Sequence, residues 1–404
     1  MKSKRLLVVC QVFYPDPTAN AMLYGPLFAS MVEDGWEIEV ISGYPTTPST
    51  HPVQRLEQWK GMTIRRFGSQ AALKKSYWHR TASYVSFLTG TFFYLMRSDK
   101  DRIWFGVTNP PFVAWIMTLA GWWNRKAYTY MFLDLHPEGL IALGSLHKDS
   151  WYVQLWQRLN RWAYHRAEQM IVLGRDMIPI LQNKYQLQGP FFYCPPWSSV
   201  NVEVPAPFES STLVNQYGLQ EKFVVQYSGN MGLWHDLETF VKAAKLLESD
   251  ARIQFLFIGD GLRRTKAEAL ARELELTNII WQNFVPIEQL KDSLAACHVS
   301  LISLREGLEG VAVPSKLYGI LASGRAVLAQ VPMQSEVALT VQEHACGAIV
   351  EPGNVDALVQ VLREWVNEPE KVARLGQNAF EAYKKSYQLA QAKTRMESVL
   401  LKQS

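Results

Sequence analysis

A glycine-containing loop followed by Pro314, Ser315 and Lys316 is the part of this 404-residue sequence whose residue types best suit anion binding. Apolar residues at helical spacing follow, and Gly324 ends them, which predicts a short helix with Pro314 at its first position. The free N–H groups at such a helix start, together with the Lys316 ammonium, favour a diphosphate ligand. The alternative is a solvated lysine on an amphipathic helix.

A second group of titratable residues, Asp134, His136 and Glu138, follows the apolar run 127–133, which is predicted to be a buried strand. In open parallel sheets, ligands bind outside the carboxyl ends of the strands, so these side chains are candidate catalytic residues. Asn109 follows the preceding strand and is expected at the same edge of the sheet. The alternative is that Asp134 caps the next helix and that His136 bonds to the backbone.

The third candidate is a glycine-containing turn between a predicted strand and a predicted helix. It consists of Ser228, Gly229, Asn230, Met231 and Gly232. Its two glycines let backbone N–H groups approach a ligand closely, although a tight strand-to-helix turn requires glycine in any case. Two arginines follow the next glycine turn and are weaker candidates, because solvated arginines are commoner than phosphate ligands. These are Arg263 and Arg264.

Predicted strands and helices alternate in two series along the chain, and the apolar runs 253–258 and 299–303 are among the predicted strands. This alternation predicts two doubly wound parallel α/β sheets. At 404 residues, two domains are also the natural expectation from chain length. A proline-rich stretch between residues 194 and 207 lacks helical periodicity and is predicted to link the two domains. We place the domains at residues 1–200 and 201–386, with a final helix in 387–404.

The composition is that of a globular protein, with 48% hydrophobic and 19% charged residues. Four cysteines are scattered singly, without the spacing of a disulfide framework or a metal site, which is typical of a reducing cytosol. We find neither a signal peptide nor an apolar run long enough to span a membrane, so a cytoplasmic location is expected. No nucleic-acid partner is expected, and the sequence predicts no oligomeric state.

Charge is distributed unevenly along the chain, although the net charge is only +4. The segment 60–126 contains eleven lysines and arginines, two aspartates and five tryptophans. Basic residues bordering apolar, tryptophan-containing helices are typical of segments that lie on an anionic membrane. The alternative is that both helices of the segment are simply buried against a sheet.

The order of these motifs resembles the retaining glycosyltransferases of the GT-B architecture, family 4. The closest resemblance is to bacterial members that build capsule, O-antigen and exopolysaccharide, including the N-acetyl-fucosaminyltransferase-like group. The matching motifs span nearly the whole chain. They are Tyr14 to Asn20, Asp134 to Glu138, Val172 to Met177, Tyr227 to Gly232, Gly259 to Gly261 and Val313 to Tyr318.

The resemblance implies two Rossmann-like domains facing across a cleft, with the last helix crossing back to the first domain. The first domain would bind the acceptor, and the second would bind a nucleotide diphosphate sugar, with a uridine nucleotide as the expected donor. No metal or other cofactor is implied, because Lys316 and the 228–232 turn would neutralise the leaving diphosphate. Asp134 or Glu138 would position the acceptor, and His136 is a further candidate.

The resemblance carries over residue by residue to a larger set. On the donor side the set comprises Ser228, Gly229, Asn230, Met231, Gly232, Arg263, Asn283, Phe284, Val285, Val313, Pro314, Ser315 and Leu317. On the acceptor-side loops it comprises Thr18, Ala19, Asn20 and Asn109.

Two departures from the family pattern affect the donor site. Many members carry two glutamates at the positions that Val311 and Gly319 occupy here, and Glu309 is out of register with the first of them. The arginine and lysine that commonly follow the first donor-domain turn are replaced by residues 233–236, Leu-Trp-His-Asp. This replacement concentrates the neutralisation of the diphosphate on Lys316.

The expected activity is sugar transfer from a uridine-type nucleotide sugar to a lipid-linked acceptor at the inner face of the cytoplasmic membrane. Two alternatives remain open: a nucleotide-sugar 2-epimerase of the same fold, and a catalytically silent partner subunit that binds nucleotide sugar. A nicotinamide enzyme is disfavoured, because the loop 14–20 lacks the glycine fingerprint of dinucleotide sites.

Overall fold

The computed structural model describes residues 4–45, 47, 52–68 and 77–402, which divide into two compact units. The first unit comprises Met1–Pro196, Gly310–Ala312 and Leu389–Ser404, and the second comprises Trp197–Glu309 and Val313–Gln388. Lys74 and Lys75 of the basic segment lie outside the described residues. Each unit is a sheet of mainly parallel strands with helices packed on it, so the predicted fold class of two parallel-sheet α/β domains is confirmed.

The sheet of the first unit has the strand order β3-β4-β2-β1-β5-β6-β7-β8, and its pairings are parallel except that between β3 and β4. Its strands are β1 Arg5–Val9, β2 Glu37–Ser42, β3 Leu56–Trp59, β4 Met62–Arg66, β5 Ile103–Val107, β6 Tyr128–Phe132, β7 Ala167–Val172 and β8 Phe191–Tyr193. Its first helices are α1 Ala19–Glu33, α2 Tyr77–Arg97, α3 Val113–Asn124, α4 Glu138–Ala142, α5 Trp151–Tyr164 and α6 Met177–Tyr185.

The sheet of the second unit is parallel, with the strand order β11-β10-β9-β12-β13-β14. Its strands are β9 Phe223–Ser228, β10 Ile253–Ile258, β11 Ile279–Gln282, β12 Val299–Ser303, β13 Ala326–Gln330 and β14 Gly347–Val350. Its helices are α7 Thr212–Tyr217, α8 Glu238–Leu247, α9 Arg264–Glu273, α10 Leu290–Ala295, α11 Lys316–Ser323, α12 Glu336–Glu343, α13 Val355–Asn367 and α14 Pro369–Ser386.

The last helix, α15 Leu389–Leu400, belongs to the first unit. It packs against α1, and the Trp36 Nε1–H donates to Glu397 Oε1 at 2.7 Å. Lys393 pairs with Asp34, the residue that ends α1, at 2.5 Å. These polar contacts hold the carboxyl-terminal helix on a surface built from the amino-terminal part of the chain.

The central strands are apolar runs because helices cover both faces of a parallel sheet. Strands β10 and β12 coincide with the predicted runs 253–258 and 299–303, and their side chains are almost entirely buried. Gly324 ends α11 in the left-handed region at φ 63°, as expected of a glycine just past a helix. A side chain there would also approach Pro205 to 2.8 Å.

One local prediction was wrong, and one strand was not predicted. Helix α11 begins at Lys316 and its N-cap is Ser315, so Pro314 precedes the helix and does not occupy its first position. The short edge strand β3 was not predicted, because its side chains are only partly buried and give no apolar run. It pairs with β4 across a two-residue turn, Lys60-Gly61, in which both residues have positive φ.

Candidate functional site

Two glycine turns at the carboxyl ends of β9 and β10 pack backbone against backbone. The Met231 N–H donates to Asp260 O at 2.8 Å, and the Gly229 N–H donates to Ile258 O at 2.9 Å. Gly259 has φ 129°, and a Cβ atom there would lie 2.1 Å from Gly229 O. Glycine is therefore required where the turns touch, and the 228–232 turn has a defined shape before any ligand arrives.

The Lys316 ammonium lies over this turn. Its Nζ donates to the Tyr227 hydroxyl at 2.5 Å and to Asn230 O at 3.5 Å, and it stands 3.8 Å from the centroid of the Tyr227 ring. The Tyr227 hydroxyl in turn donates to Asn230 O at 2.9 Å. A Cβ atom on Gly229 would lie only 3.7 Å from Nζ. The ammonium is thus fixed beside the glycine turn by a hydrogen bond and a cation–π contact.

The electrostatic setting of Lys316 is unusual for a lysine. Burial lowers its pKa to about 7, and among the described residues no carboxylate forms an ion pair with it. Burial, together with the Lys316 charge, also lowers the pKa of His235 to about 3, so this neighbouring imidazole is neutral. His235 Nδ1 donates to Ser303 O at 2.6 Å. A desolvated ammonium without a counter-ion is stabilised when an anion binds.

The amide groups at the start of α11 contribute less than the sequence suggested. The Leu317 N–H donates to Pro314 O at 3.2 Å, and the Tyr318 N–H donates to Ser315 O at 3.2 Å. Two of the N–H groups that were expected to be free are therefore engaged within the turn. Val313 and Leu317 are buried, and the positive charge of this site comes mainly from the Lys316 side chain.

The two arginines after the second turn are held by other parts of the protein. Arg263 pairs with Glu238 at 2.9 Å. Arg264 donates to Gly259 O at 2.6 Å and to Asn283 Oδ1 at 2.8 Å. The Arg264 side chain thus braces the second turn, whereas the Arg263 side chain is held by the start of α8. The remaining donor-side candidates from this strand end, Phe284 and Val285, are exposed and half-buried respectively.

Residues 233–236, which replace the family's basic pair, have structural partners. The Asp236 carboxylate accepts hydrogen bonds from Thr239 Oγ1 at 2.6 Å and from Gln330 Nε2 at 3.0 Å, which joins α8 to β13. Arg305 lies against this segment: its N–H donates to Trp234 O at 3.0 Å and its Nη1 donates to Leu233 O at 3.3 Å. Arg305, which is distant in sequence, thus places an arginine beside the segment that lacks the family's basic pair.

Tyr227 and Arg305 are site residues that the sequence analysis did not single out. Tyr227 lies inside a noted motif, but its pairing with Lys316 joins positions 89 apart. Arg305 follows the buried strand β12, and β12 pairs with β9, the strand that precedes the glycine turn. A prediction of this strand order was the one sequence signal that could have placed Arg305 near the turn.

In the first unit, Asp134 lies just beyond β6. The Thr108 hydroxyl accepts the Leu133 N–H at 2.7 Å and the Asp134 N–H at 3.2 Å, which fixes the backbone there. Asp134 also forms an antiparallel bridge with Ala312, a residue of the same unit. Burial raises the pKa of Asp134 to about 6. The carboxylate is therefore poised to change its ionisation near neutral pH.

The other two candidates after β6 differ in their surroundings. Glu138 is buried, and its Oε1 accepts hydrogen bonds from Tyr185 at 2.7 Å and from Gln157 at 3.2 Å, while Lys184 pairs with it at 3.0 Å. This carboxylate is bound within the protein. His136 has its pKa lowered by burial, and its Nδ1 has no hydrogen-bond partner among the described residues. His136 is thus the more available of the two.

The acceptor-side loop residues are partly placed in one region of the first sheet. Asn109 O accepts the Gln11 N–H at 2.9 Å, which joins the loops after β5 and β1. Thr18 is the N-cap of α1 and accepts the Ala21 N–H at 3.4 Å. Ala19 and Asn20 form the first turn of that helix. The loops after β1, β5 and β6 leave the same carboxyl edge of the sheet as neighbours.

The positions of the missing family glutamates have defined environments. Val311 is buried and its carbonyl accepts the Leu135 N–H at 2.8 Å. A Cβ atom on Gly319 would meet only Leu294, at 3.5 Å. Glu309 Oε2 is buried and has no hydrogen-bond partner in the described part of the chain. A glutamate is therefore present near this loop, at position 309 and not at position 311.

No group of histidine, cysteine and carboxylate side chains in residues 4–45, 47, 52–68 and 77–402 is arranged to hold a metal ion. Over the same ranges, every helix is too short or too polar to cross a lipid bilayer.

Most of the second unit matches a known protein family. Residues 210–382 match the family described as "Glycosyl transferases group 1". This range falls almost entirely within the second unit and contains Lys316 and both glycine turns. This part of the second unit is therefore similar to the group 1 glycosyltransferases.

Two relatives extend the similarity into the first unit. The chain is 28% identical over 268 residues to "Probable glycosyltransferase WbjE" of Pseudomonas aeruginosa, covering 66% of this chain and 67% of that protein. It is 26% identical over 380 residues to WcaI of Escherichia coli (strain K12), covering 89% and 91% of the two chains. WcaI is named as a colanic acid biosynthesis glycosyl transferase.

Solved structures support the same fold. A sucrose-phosphate synthase from Thermosynechococcus elongatus superposes with a TM-score of 0.75 at 16% identity, covering 98% of both chains. Anabaena Alr3699/HepE in complex with UDP gives a TM-score of 0.73 at 13% identity, covering 98% of this chain and 99% of that one. At such identities the likeness concerns the fold alone, which is the GT-B fold of two parallel-sheet domains.

Proposed function

We propose that this protein, whose residues 210–382 match the group 1 glycosyltransferases, is a retaining glycosyltransferase of family 4 that acts in surface polysaccharide biosynthesis. The proposed donor is a UDP-linked hexose or N-acetylhexosamine. The proposed acceptor is a lipid-linked saccharide or polyprenyl diphosphate on the cytoplasmic face of the membrane. The name of WcaI supports the biosynthetic class, and the UDP bound to the Anabaena protein supports the nucleotide.

The observation that carries the proposal is the Lys316 ammonium, which Tyr227 holds beside the 228–232 turn without a carboxylate counter-ion among the described residues. A diphosphate leaving group develops negative charge as its bond to the sugar breaks. A preorganised cation at that position stabilises the charge in the transition state. Because Lys316 can supply this charge, the proposed reaction needs no metal ion.

The proposed chemistry is a front-face displacement. The bond between the anomeric carbon and the diphosphate oxygen breaks, and an acceptor oxygen forms a new bond to that carbon on the same face. The acceptor's proton passes to an oxygen of the leaving diphosphate, so no covalent sugar–enzyme intermediate forms. The anomeric configuration is retained.

On the acceptor side, Asp134 is proposed to accept a hydrogen bond from the reacting hydroxyl and to orient it. Its backbone is fixed by Thr108, and its carboxylate is free of hydrogen bonds from other described side chains. His136 is a second candidate for this contact. Glu138 is proposed to position neighbouring side chains and not to contact the acceptor. Its carboxylate already binds Tyr185, Gln157 and Lys184.

Acceptor-dependent release of UDP is the test of this function. We expect the purified protein to release UDP from one or more members of a UDP-sugar panel when a short polyprenyl diphosphate saccharide is added. The expected rate is unchanged in the presence of a chelator of divalent ions, because Lys316 supplies the positive charge. Chromatography of the lipid product with anomer-specific glycosidases establishes whether the configuration is retained.

Two controls separate the alternatives. Isomerisation of the sugar with donor alone would contradict the transferase function and favour the epimerase. Tight UDP binding with no release after any acceptor would favour the silent partner subunit. Loss of activity in the chelator that is restored by Mg²⁺ would overturn the proposed role of Lys316.

Arg305 is proposed as a second positive group at the diphosphate. Its guanidinium lies against the backbone of Leu233, in the segment that follows the glycine turn. We expect Arg305→Ala to weaken UDP binding about tenfold in calorimetry and UMP binding less, because a charge-assisted contact to the terminal phosphate is lost. Arg252→Ala is the matched control, because Arg252 forms an ion pair with Asp250 just before the amino end of β10. The glycine turns follow the carboxyl ends of the strands. An equal loss of UDP and UMP affinity would contradict the assignment.

A further inference from the structure

We propose that the outward faces of α3 and α5 form the surface by which this protein rests on an anionic membrane, and that a cavity beside this surface binds a lipid phosphate. The proposal rests on the proposed function, because a lipid-linked acceptor requires the enzyme to work at a bilayer. The proposed surface is defined more narrowly than the segment 60–126 that the sequence indicated. Residues of α5 take part although they lie outside that segment, whereas Trp104 inside it is fully buried.

The first observation is that exposed aromatic side chains lie along two neighbouring helices. Trp122 and Trp123 on α3 are 73% and 66% exposed, and Trp151 at the start of α5 is 76% exposed. The two helices are joined by the Trp115 Nε1–H, which donates to Asn160 Oδ1 at 2.8 Å. Large side chains of this kind are normally buried, and several exposed ones on adjoining helices mark an interaction surface.

The spacing of the apolar residues shows that each helix presents one face. On α5, Trp151, Leu155 and Trp162 are exposed and recur at intervals of four and seven residues. On α3, Leu119 lies three residues before Trp122 and is also exposed. Because α3 contacts α5, the two apolar stripes lie on neighbouring elements of the same unit.

The charge of this surface favours a membrane. Helices α2, α3 and α5 contain no aspartate or glutamate. Arg158 and Arg161 of α5 are exposed. Tryptophan beside arginine suits the interface of an anionic bilayer, where the headgroups attract the guanidinium and the indole lies at headgroup depth. Two copies of this face would set like charges against each other, which disfavours a dimer contact.

The second observation is a cavity of about 420 Å³ at the end of α3, lined in part by Trp122, Arg125, Lys126 and Arg166. Arg125 ends the helix in the left-handed region at φ 53°, and the chain then enters β6. The cavity therefore lies at the amino ends of β6 and β7. Asp134 follows the carboxyl end of β6, so the cavity is separate from the candidate acceptor site.

The three cations of the cavity are not equivalent. Lys126 donates to Lys100 O, and burial lowers its pKa. The charges of Asp101, Asp99 and Glu168 act on this pKa in the opposite direction. Arg125 and Arg166 are exposed, and planar guanidinium groups match the oxygens of a phosphate. We therefore assign the phosphate contact to the two arginines.

Co-sedimentation with vesicles tests both parts of the proposal on the full chain. The probes are vesicles of phosphatidylcholine with one third phosphatidylglycerol, and vesicles of phosphatidylcholine alone. We expect Trp122→Ala with Trp123→Ala to lower the partition coefficient on the anionic vesicles at least tenfold. We expect Arg125→Ala with Arg166→Ala to lower it about tenfold on anionic vesicles, with no effect on neutral ones. Leu262→Ala is the matched control, because Leu262 is 76% exposed but belongs to the second unit.

Each outcome decides the proposal. Unchanged partitioning of both double variants, or the same loss in the Leu262→Ala control, would overturn it. A change of oligomeric state in sedimentation velocity, without a change in vesicle binding, would make the face a contact between copies and would also overturn it. UDP binding is measured on every variant in parallel. If UDP binding persists while vesicle binding is absent from the wild type, the membrane face fails and the proposed function stands.

Discussion

Lys316→Ala is expected to lower the turnover of sugar transfer by about 10²- to 10³-fold, the range observed when one preorganised charge-stabilising group is removed from an active site. The physical reason is that the ammonium, held at 2.5 Å from the Tyr227 hydroxyl, is the principal positive charge beside the glycine turn. Turnover is measured as acceptor-dependent UDP release at saturating donor. Lys242→Ala on the exposed side of α8 is the matched control.

The pH dependence of UDP binding provides a second test of Lys316, with Lys316→Met as the variant. Burial lowers the pKa of Lys316 to about 7, so the free protein loses this charge as the pH rises above 7. We expect UDP affinity to fall about tenfold per pH unit above that value, because binding must first restore the proton. Calorimetry in buffers of different ionisation enthalpy would detect proton uptake, which Lys316→Met abolishes.

The pH dependence of the free energy of unfolding distinguishes the charge-stabilising role of Lys316 from a structural role. The folded-state pKa of about 7 lies below the ordinary lysine value of 10.5, so between these values the folded state binds fewer protons than the unfolded state. Wild-type stability therefore rises with pH across that window, and the variant lacks this contribution. We expect Lys316→Met to have an equal or higher Tm at pH 7. Tyr227→Phe removes the hydroxyl that accepts the Lys316 hydrogen bond. The assignment would be contradicted if Lys316→Met unfolds and Tyr227→Phe binds UDP as tightly as the wild type.

Asp134→Asn is expected to lower turnover about 10²-fold while changing donor affinity little, since orientation of the acceptor hydroxyl is lost and the diphosphate contacts remain. The carboxylate lies beyond β6 in the first unit, whereas Lys316 belongs to the second. Turnover at saturating acceptor and the UDP dissociation constant are measured separately. Asp149→Asn, at an exposed position before α5, is the matched control.

The pH dependence of activity below pH 6 provides a second test of Asp134. Burial raises the pKa of Asp134 to about 6, so protonation below that value removes the acceptor of the proposed hydrogen bond. We expect activity to fall about tenfold per pH unit below 6 in the wild type, and this limb to be absent in Asp134→Asn. Because the folded-state pKa is raised, the ionised carboxylate destabilises the fold above pH 6, and the variant is expected to gain stability at pH 7. A variant with normal turnover and weakened UDP binding would move Asp134 away from the acceptor.

Much of the fold was predictable because strands buried on both faces of a parallel sheet must be continuous apolar runs. The strands 253–258 and 299–303 were identified to the residue for this reason. Short or half-exposed elements lack that signal. The edge strand Leu56–Trp59 and the five-residue helix Glu138–Ala142 both escaped prediction, since neither buries enough side chains to impose a period.

The amino-acid sequence by itself determined the alternation that builds two sheets, the glycine turns at strand ends and a lysine at the start of a short helix, because each follows from local spacing. Only the tertiary structure decided that this lysine meets Tyr227, that Arg305 returns to the segment lacking a basic pair, and that Glu138 is held by Tyr185. Those contacts join positions 89, 72 and 47 residues apart. Burial, partners and pKa values depend on which distant groups the packed sheets bring together, and no local pattern carries that information.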